Sequence, residues 1–380
     1  MKSNIINYFA NAKRVVIKVG SGVLTLSNSL NLNVIQSISR QISLLNDKGI
    51  EVILVSSGAM ASGLKKMGFK SRPDEIPKRQ AIAAIGQPGL MVEYEKAFSE
   101  YGKKVAQILL TTEDLCSRKR YLNARNTMYV LLSWKVVPII NENDTVATQE
   151  IKFGDNDNLS AMIALLMDAD VLVNLTDIDG LYTKNPRVYK DAELISEVKK
   201  IGKDIETIAG SIPGALGTGG MLSKIKAAQK ATSSGLPMII AKGEKEDILL
   251  ELFDGKKHGT LFLPKNQKPP RRKCWLAYAA KPKGTLVVDK GAENAVINNG
   301  KSLLPSGIIS VSGDFNVGDP VAFHNIEGEK LGVGLANYSS TDVNKIKGLN
   351  SKIIAEQLGS KSYDEVIHRN NLALTNECNF

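Results

Sequence analysis

Two clusters of carboxylates and amides dominate the chemistry available to this chain: Asn141-Glu142-Asn143-Asp144 and Gly154-Asp155-Asn156-Asp157-Asn158. The first follows the apolar run Val136–Ile140, which reads as a buried strand. The second precedes Leu159–Met167, which reads as a helix. Asn and Asp cap such junctions well, so one cluster alone could be structural. Two of them, with lysines and glycine loops elsewhere, point to a pocket for a small polar molecule carrying both charge signs.

Two further segments suit phosphate. Lys18-Val19-Gly20-Ser21-Gly22 follows an apolar strand, and its small residues let backbone N–H groups approach an anion. Taken alone it is a weak signal, and a plain turn is the more common explanation. Gly217-Thr218-Gly219-Gly220-Met221-Leu222-Ser223-Lys224 is the stronger signal, a glycine loop running into a helix that carries a lysine in its first turns. The common P-loop is missing, because Gly300-Lys301-Ser302 has Ala295 where the first glycine is required. No Gly-x-Gly-x-x-Gly follows the first strand, which argues against a dinucleotide fold. Thr176-Asp177-Ile178-Asp179-Gly180-Leu181-Tyr182 either flanks a nucleotide or is a turn with an Asp cap.

The elements that must position these residues alternate. Short, β-branched, apolar runs at Val15–Val19, Val52–Ser56, Val105–Leu110, Val136–Ile140, Val171–Leu175 and Met238–Ala241 read as strands buried on both faces. Amphipathic segments such as Val34–Asn46, Arg79–Tyr101 and Ser223–Ser234 separate them. The alternation predicts an α/β fold, a mainly parallel open sheet sandwiched by helices, with ligands beyond the carboxyl ends of the strands. Near Pro264 the texture changes. Residues 265–272 read as a basic linker, and Gly284–Asp289, Gly307–Val311, Pro320–His324 and Leu331–Leu335 predict a small β-barrel-like domain.

Composition narrows the function classes. The 380 residues suit two domains, and 43% hydrophobic with 23% charged residues describes an ordinary globular chain. No apolar run reaches the length of a membrane span, and the first residues lack the apolar core of a signal peptide. Three distant cysteines, Cys116, Cys274 and Cys378, argue against a disulfide framework and for a cytoplasmic protein. All three histidines lie at or after His258, which removes histidine catalysis from the first two-thirds. The net charge of +10 resides partly in residues 265–283, with seven basic and no acidic residues, whereas residues 284–380 carry a net −3. The excess is a basic linker rather than a nucleic-acid-binding face.

Taken in order, Lys18-Val-Gly-Ser-Gly-Val-Leu-Thr, Val55-Ser-Ser-Gly-Ala, Asn141-Glu-Asn-Asp, Gly154-Asp-Asn-Asp-Asn-Leu-Ser, Thr176-Asp-Ile-Asp-Gly-Leu-Tyr and Gly217-Thr-Gly-Gly-Met-Leu-Ser-Lys resemble the amino acid kinase family. Within it they resemble the branch that phosphorylates L-glutamate. Ser133-Trp-Lys-Val-Val-Pro-Ile-Ile, leading into Asn141, fits the same pattern. The resemblance covers about residues 13–264 and sets a kinase domain at 1–264. Carbamate kinase, acetylglutamate kinase and aspartokinase share the fold but not the paired acidic motifs. Residues 273–355 resemble a PUA domain through Asp289-Lys-Gly-Ala-Glu-Asn-Ala, Ser302-Leu-Leu-Pro-Ser-Gly-Ile and Gly318-Asp-Pro-Val. That leaves 356–380 as a C-terminal tail matching nothing.

The resemblance implies transfer of the γ-phosphoryl of ATP to the side-chain carboxylate of L-glutamate, the first step of proline biosynthesis. It implies Lys18, Lys224 and Asp157 as catalytic residues, with Asp157 orienting the lysines. Ser57, Asp144 and Asn156 would hold glutamate. Lys18, Thr176, Asp177, Thr218, Gly219, Gly220, Met221, Leu222, Ser223 and Lys224 would contact ATP. Mg²⁺ would arrive with the nucleotide rather than in a protein metal site. A glutamyl phosphate reductase is implied as pathway partner, proline as feedback inhibitor and a homo-oligomer as the assembly. RNA binding by the PUA-like domain is disfavoured by its charge.

Overall fold

The computed structural model describes residues 8–26, 29–147, 156–210, 220–264, 276, 280–360 and 362–375. Two compact units emerge, residues 1–114 with 121–268 and residues 115–120 with 269–380.

In the first unit eight strands make one sheet. They are β1 (Arg14–Val19), β4 (Glu51–Ser56), β5 (Lys104–Leu110), β6 (Val136–Glu142), β7 (Val171–Thr176), β8 (Glu197–Val198), β9 (Met238–Lys242) and β10 (Thr260–Phe262). The labels β2 (Thr25–Leu26) and β3 (Ser29–Leu30) belong to a separate small hairpin. The sheet order is β5-β6-β4-β1-β7-β9-β10-β8, parallel except where β9 meets β10. The chain builds β4, β5 and β6 on one side of β1 and then crosses to β7 on the other. That reversal opens a crevice beyond the carboxyl end of β1, where open α/β sheets bind ligands.

β1, β4 and β7 are buried almost throughout, as continuous apolar runs require. β5 departs from that expectation: it is the edge strand, and Lys104, Gln107 and Leu109 are exposed. β6 also runs further than its apolar segment, because Asn141 and Glu142 pair with Leu109 and Leu110 of β5.

Four helices serve the crevice: α3 (Ala59–Met67), α4 (Ile76–Ser99), α7 (Asn156–Leu166) and α9 (Met221–Ser233), counting α1 (Ser21–Leu24), α2 (Leu32–Asp47), α5 (Thr112–Cys116), α6 (Arg118–Ser133) and α8 (Lys203–Gly210) among the rest. α7 begins three residues before its apolar stretch, which sets Asn156 and Asp157 in the first turn, where an acidic residue meets the positive end of the helix dipole. α3 and α4 cross at glycine: a Cβ on Gly86 would lie 1.9 Å from the Ala59 carbonyl oxygen, and one on Gly63 1.9 Å from that of Ile82. Only hydrogen fits there.

The second unit holds a five-stranded mixed sheet ordered β12-β11-β13-β14-β15, from β11 (Gly284–Val288), β12 (Ile308–Gly313), β13 (Pro320–His324), β14 (Lys330–Leu335) and β15 (Leu372–Leu374). It encloses its own core, including Leu286, Phe315, Phe323 and Ile367. The last 25 residues thus contribute a strand that pairs with β14. Among the described residues no helix is long and apolar enough to cross a membrane.

Candidate active site

Lys18 is the fifth residue of β1, in register with Asn174 on the adjacent parallel β7. Paired residues of neighbouring strands point to the same face. Both reach Asp157: Lys18 Nζ donates to Oδ1 at 2.6 Å and Asn174 Nδ2 to the same oxygen at 2.9 Å. The other oxygen accepts from Ser223 Oγ at 2.6 Å and Lys224 Nζ at 3.1 Å, both from the first turns of α9. Lys18, Lys224 and Asp157 are each 5% exposed or less. One carboxylate therefore spaces two buried ammonium groups and leaves a net charge of +1.

Burial alone would raise the Asp157 carboxyl, but the charges of Lys18 and Lys224, with hydrogen bonds from Lys18 and Ser223, hold it well below the usual carboxylate range. It stays ionised at neutral pH and cannot act as a general base. Removing this carboxylate would leave two buried lysine charges uncompensated.

Asn156, one residue earlier, opens a second network. Its Nδ2 donates to the Ser56 carbonyl at 3.1 Å, to Ser57 Oγ at 3.0 Å and to Asn141 Oδ1 at 3.0 Å. These partners end β4 and β6, so the first turn of α7 draws two neighbouring strand ends together. Beside them α3 starts at Gly58, whose φ of +109° favours glycine. Behind them Ser56 Oγ and the buried Tyr94 hydroxyl lie 2.9 Å apart.

Asp144 lies two residues past β6. Burial and the negative charge of Glu142 push its carboxyl up to about 7, against the lowering influence of Arg72. Arg72, in turn, is lowered by burial and by Arg79, and raised by Asp144. Gln80 Nε2 donates to the Ala147 carbonyl at 3.1 Å and ties α4 to this segment.

Thr176 ends β7 two residues after Asn174, on the same face. Its Oγ1 donates to Asp177 Oδ1 at 3.0 Å, and Arg187 Nη2 holds Asp177 Oδ2 at 2.6 Å. A Cβ on Gly22 would sit 3.3 Å from Asp177, so the loop after β1 and the loop after β7 touch. Gly220 precedes the first turn of α9, and Met221, Leu222, Ser223 and Lys224 form that turn. Thr218 and Gly219 fall outside the described residues.

The sequence-predicted residues Lys18, Asp157, Ser223 and Lys224 thus form one hydrogen-bonded cluster, and Ser57 and Asn156 adjoin it. Met221 and Leu222 join the cluster only through their place in the turn. Asn174, Tyr94 and Gln87, whose Oε1 accepts from Asn141 Nδ2 at 2.8 Å, take part in the networks and were missed by sequence reasoning. A polar residue in the otherwise apolar run Val171–Leu175 was the available signal for Asn174. Among the described residues no group of three His, Cys, Asp or Glu side chains could hold a metal ion.

Comparison with known proteins adds independent findings. Residues 13–242 match the amino acid kinase family, and residues 284–358 match the PUA domain. The chain is 49% identical over 374 residues to a glutamate 5-kinase of Syntrophus aciditrophicus, covering 98% of this chain and 97% of that protein. It is 51% identical over 363 residues to one from Caldanaerobacter subterraneus, covering 95% and 97%. A third, from Geobacter sulfurreducens, is 48% identical over 375 residues, covering 98% and 100%. Among solved structures, carbamate kinase from Giardia lamblia bound to AMP-PNP superposes with a TM-score of 0.50 at 17% identity, covering 67% of this chain and all of that one. At that identity the likeness speaks to the fold alone.

Proposed function

This chain belongs to the amino acid kinase family and to its glutamate 5-kinase members, and we propose that the Lys18–Asp157–Lys224 cluster is its phosphoryl-transfer centre. The protein phosphorylates the side-chain carboxylate of L-glutamate with ATP, the first step of proline biosynthesis. The observation that carries the site reading is the single buried carboxylate that holds two lysines on its opposite oxygens.

The substrate carboxylate is already ionised at neutral pH, so no base need activate it. One of its oxygens forms the new bond to the γ-phosphorus while the bridging oxygen departs with ADP. The difficulty is bringing an anion to a polyanion, which positioning and positive charge relieve. Lys18 and Lys224 supply that charge in a site where burial weakens solvent screening. Asp157 keeps them apart and aimed. The start of α9 at Gly220–Met221 offers backbone N–H groups to phosphate, together with Leu222 and Ser223, and Thr176 and Asp177 border the nucleotide. Thr218 and Gly219 belong to the same loop by sequence.

Asp144 receives the ammonium group of glutamate, Asn156 Oδ1 assists it, and Ser57 with the start of α3 receives a carboxylate. Mg²⁺ does not fit a protein site here, since both oxygens of Asp157 are occupied by lysine, asparagine and serine. The ion belongs to the nucleotide phosphates. A cytoplasmic homo-oligomer, proline inhibition and delivery of the labile acyl phosphate to a reductase complete the reading.

The test supplies purified protein with Mg·ATP, hydroxylamine and L-glutamate, L-aspartate or N-acetyl-L-glutamate. Hydroxamate with glutamate alone is expected, and its abolition in Lys18→Ala and Lys224→Ala at preserved fold. Full turnover in either variant removes the cluster from the reaction.

A further inference from the structure

The Asn156 network has a fixed direction. The backbone N–H of Glu142 donates to Asn141 Oδ1 at 2.9 Å, so that atom must be the acceptor end of its carboxamide. The Ser56 carbonyl faces Asn156 Nδ2 at 3.1 Å, so that atom must be the donor end. Two main-chain groups thereby set the orientation of two side-chain amides. The Nδ2 of Asn141 is left as a donor, and Gln87 Oε1 accepts it at 2.8 Å. Asn141, Asn156 and Gln87 are all buried, with exposures of 4, 5 and 8%.

Gln87 is held in place independently. It follows Gly86, the residue at which α4 passes within contact of the Ala59 backbone. Two turns along the same helix face, Tyr94 reaches Ser56 Oγ. α4 therefore clamps the ends of β4 and β6 at two points seven residues apart, and at Gln87 it meets the Asn141 carboxamide. If Gln87 offered no acceptor, Asn141 Nδ2 would be left buried without this partner. Rotation of the Asn141 amide would then bring its Nδ2 against the Glu142 N–H and Asn156 Nδ2, donors against a donor.

We propose that Gln87 is a positioning residue for the amino-acid substrate: by accepting from Asn141 Nδ2 it holds in place the carboxamide whose direction the Glu142 N–H sets, and through it the Asn156 amide whose Oδ1, an acceptor, serves the substrate ammonium group. This rests on the substrate role given to Asn156 above. Asn156 Oδ1 is buried without a hydrogen-bond partner among the described residues, as is Gln87 Nε2 at the other end of the relay. Gln87 touches no reacting atom; its effect passes through Asn141.

The experiment compares steady-state kinetics of Gln87→Met, Gln87→Glu and Asn156→Ala in the full-length chain. Gln87→Met keeps the length and removes the acceptor. It should raise the glutamate KM roughly tenfold, the loss of one well-directed hydrogen bond, with the ATP KM unmoved. Gln87→Glu keeps an acceptor for Asn141 Nδ2 and should restore the glutamate KM to within about threefold of wild type. A merely structural Gln87 would instead lower kcat and raise both KM values together, without rescue by Glu. That pattern, or an unchanged glutamate KM in well-folded Gln87→Met, overturns the inference. If Asn156→Ala also leaves the glutamate KM unchanged, the substrate role of Asn156 fails first; if it raises that KM and Gln87→Met does not, only the positioning role fails. Should the Met variant not fold, Gln87→Asn, too short to reach Asn141, takes its place with the same expected outcome.

Discussion

Lowering the pH from 8 to 6 should raise the glutamate KM about tenfold in the wild-type enzyme and leave it nearly flat in Asp144→Asn. The reasoning starts from the position of Asp144 beyond β6, where burial and then Glu142 push its carboxyl up to about 7 despite Arg72. Only the ionised form attracts an ammonium group. The apparent KM then scales with the inverse of the ionised fraction, from about 1.1 times its intrinsic value at pH 8 to about 11 times at pH 6. Glutamate keeps both carboxylates ionised over this range, so its own titration does not imitate the effect. The assay is hydroxamate formation at saturating ATP, with glutamate varied at each pH. A wild-type KM constant within about twofold between pH 6 and 8 would refute the argument, as would an undiminished slope in Asp144→Asn. Stability supplies a second readout. The folded value lies above the ordinary carboxyl value of 3.8. The stability attached to this group is therefore complete below about pH 4 and is lost as the pH rises through about 7. At pH 8 the unliganded protein bears a cost of roughly 2–4 kcal/mol, the lower end allowing for partial exposure of the group. Asp144→Asn should accordingly raise the Tm at pH 8 and barely change it near pH 4.

Three further outcomes follow from the site. Lys224→Ala should lower kcat by about 10²–10³-fold, because it removes a buried charge aimed at the transferring group; single-turnover rates separate this from slow product release. Asp157→Asn should destabilise the first unit by about 3–5 kcal/mol at pH 7 in denaturant titrations, since it withdraws the shared carboxylate from two buried lysines. The depressed carboxyl of Asp157 contributes stability that is present above about pH 4 and lost as the pH falls toward its folded value, so the Asn variant should also lose that acid-side slope. Gly86→Ala, which would drive a methyl into the Ala59 carbonyl, should cost about 2–3 kcal/mol in Tm-matched unfolding experiments and raise the glutamate KM by moving Gln87.

Much of the frame is legible in the chain because its causes are local. A strand buried on both faces must be a short apolar, β-branched run, and β1, β4, β6, β7 and β9 each coincide with one. Asn and Asp gather where strands end and helices begin, so Asn156 and Asp157 announce the start of α7. β5 also reads as a strand, but its edge position does not, since edge and interior differ only in what lies beside them. The short strands β8, β10 and β15, like β2 and β3, left no pattern, being two or three residues long and held by their partners rather than by their own composition.

The candidate site divides along the same line. Motifs in order single out Lys18, Asp157 and Lys224 together. They do not show that one carboxylate binds both lysines, because Lys18 is 139 residues and Lys224 67 residues from Asp157 in the chain. Asn174 joins them only through the register that sets it beside Lys18. Gln87 reaches Asn141 across 54 residues because two glycines let α4 lie against α3. Local sequence determined which elements form and which chemical groups stand at their ends. Strand order and close helix packing decided which of those groups meet, since hydrogen bonds and ion pairs act over about 3 Å and sense distance in space rather than separation along the chain.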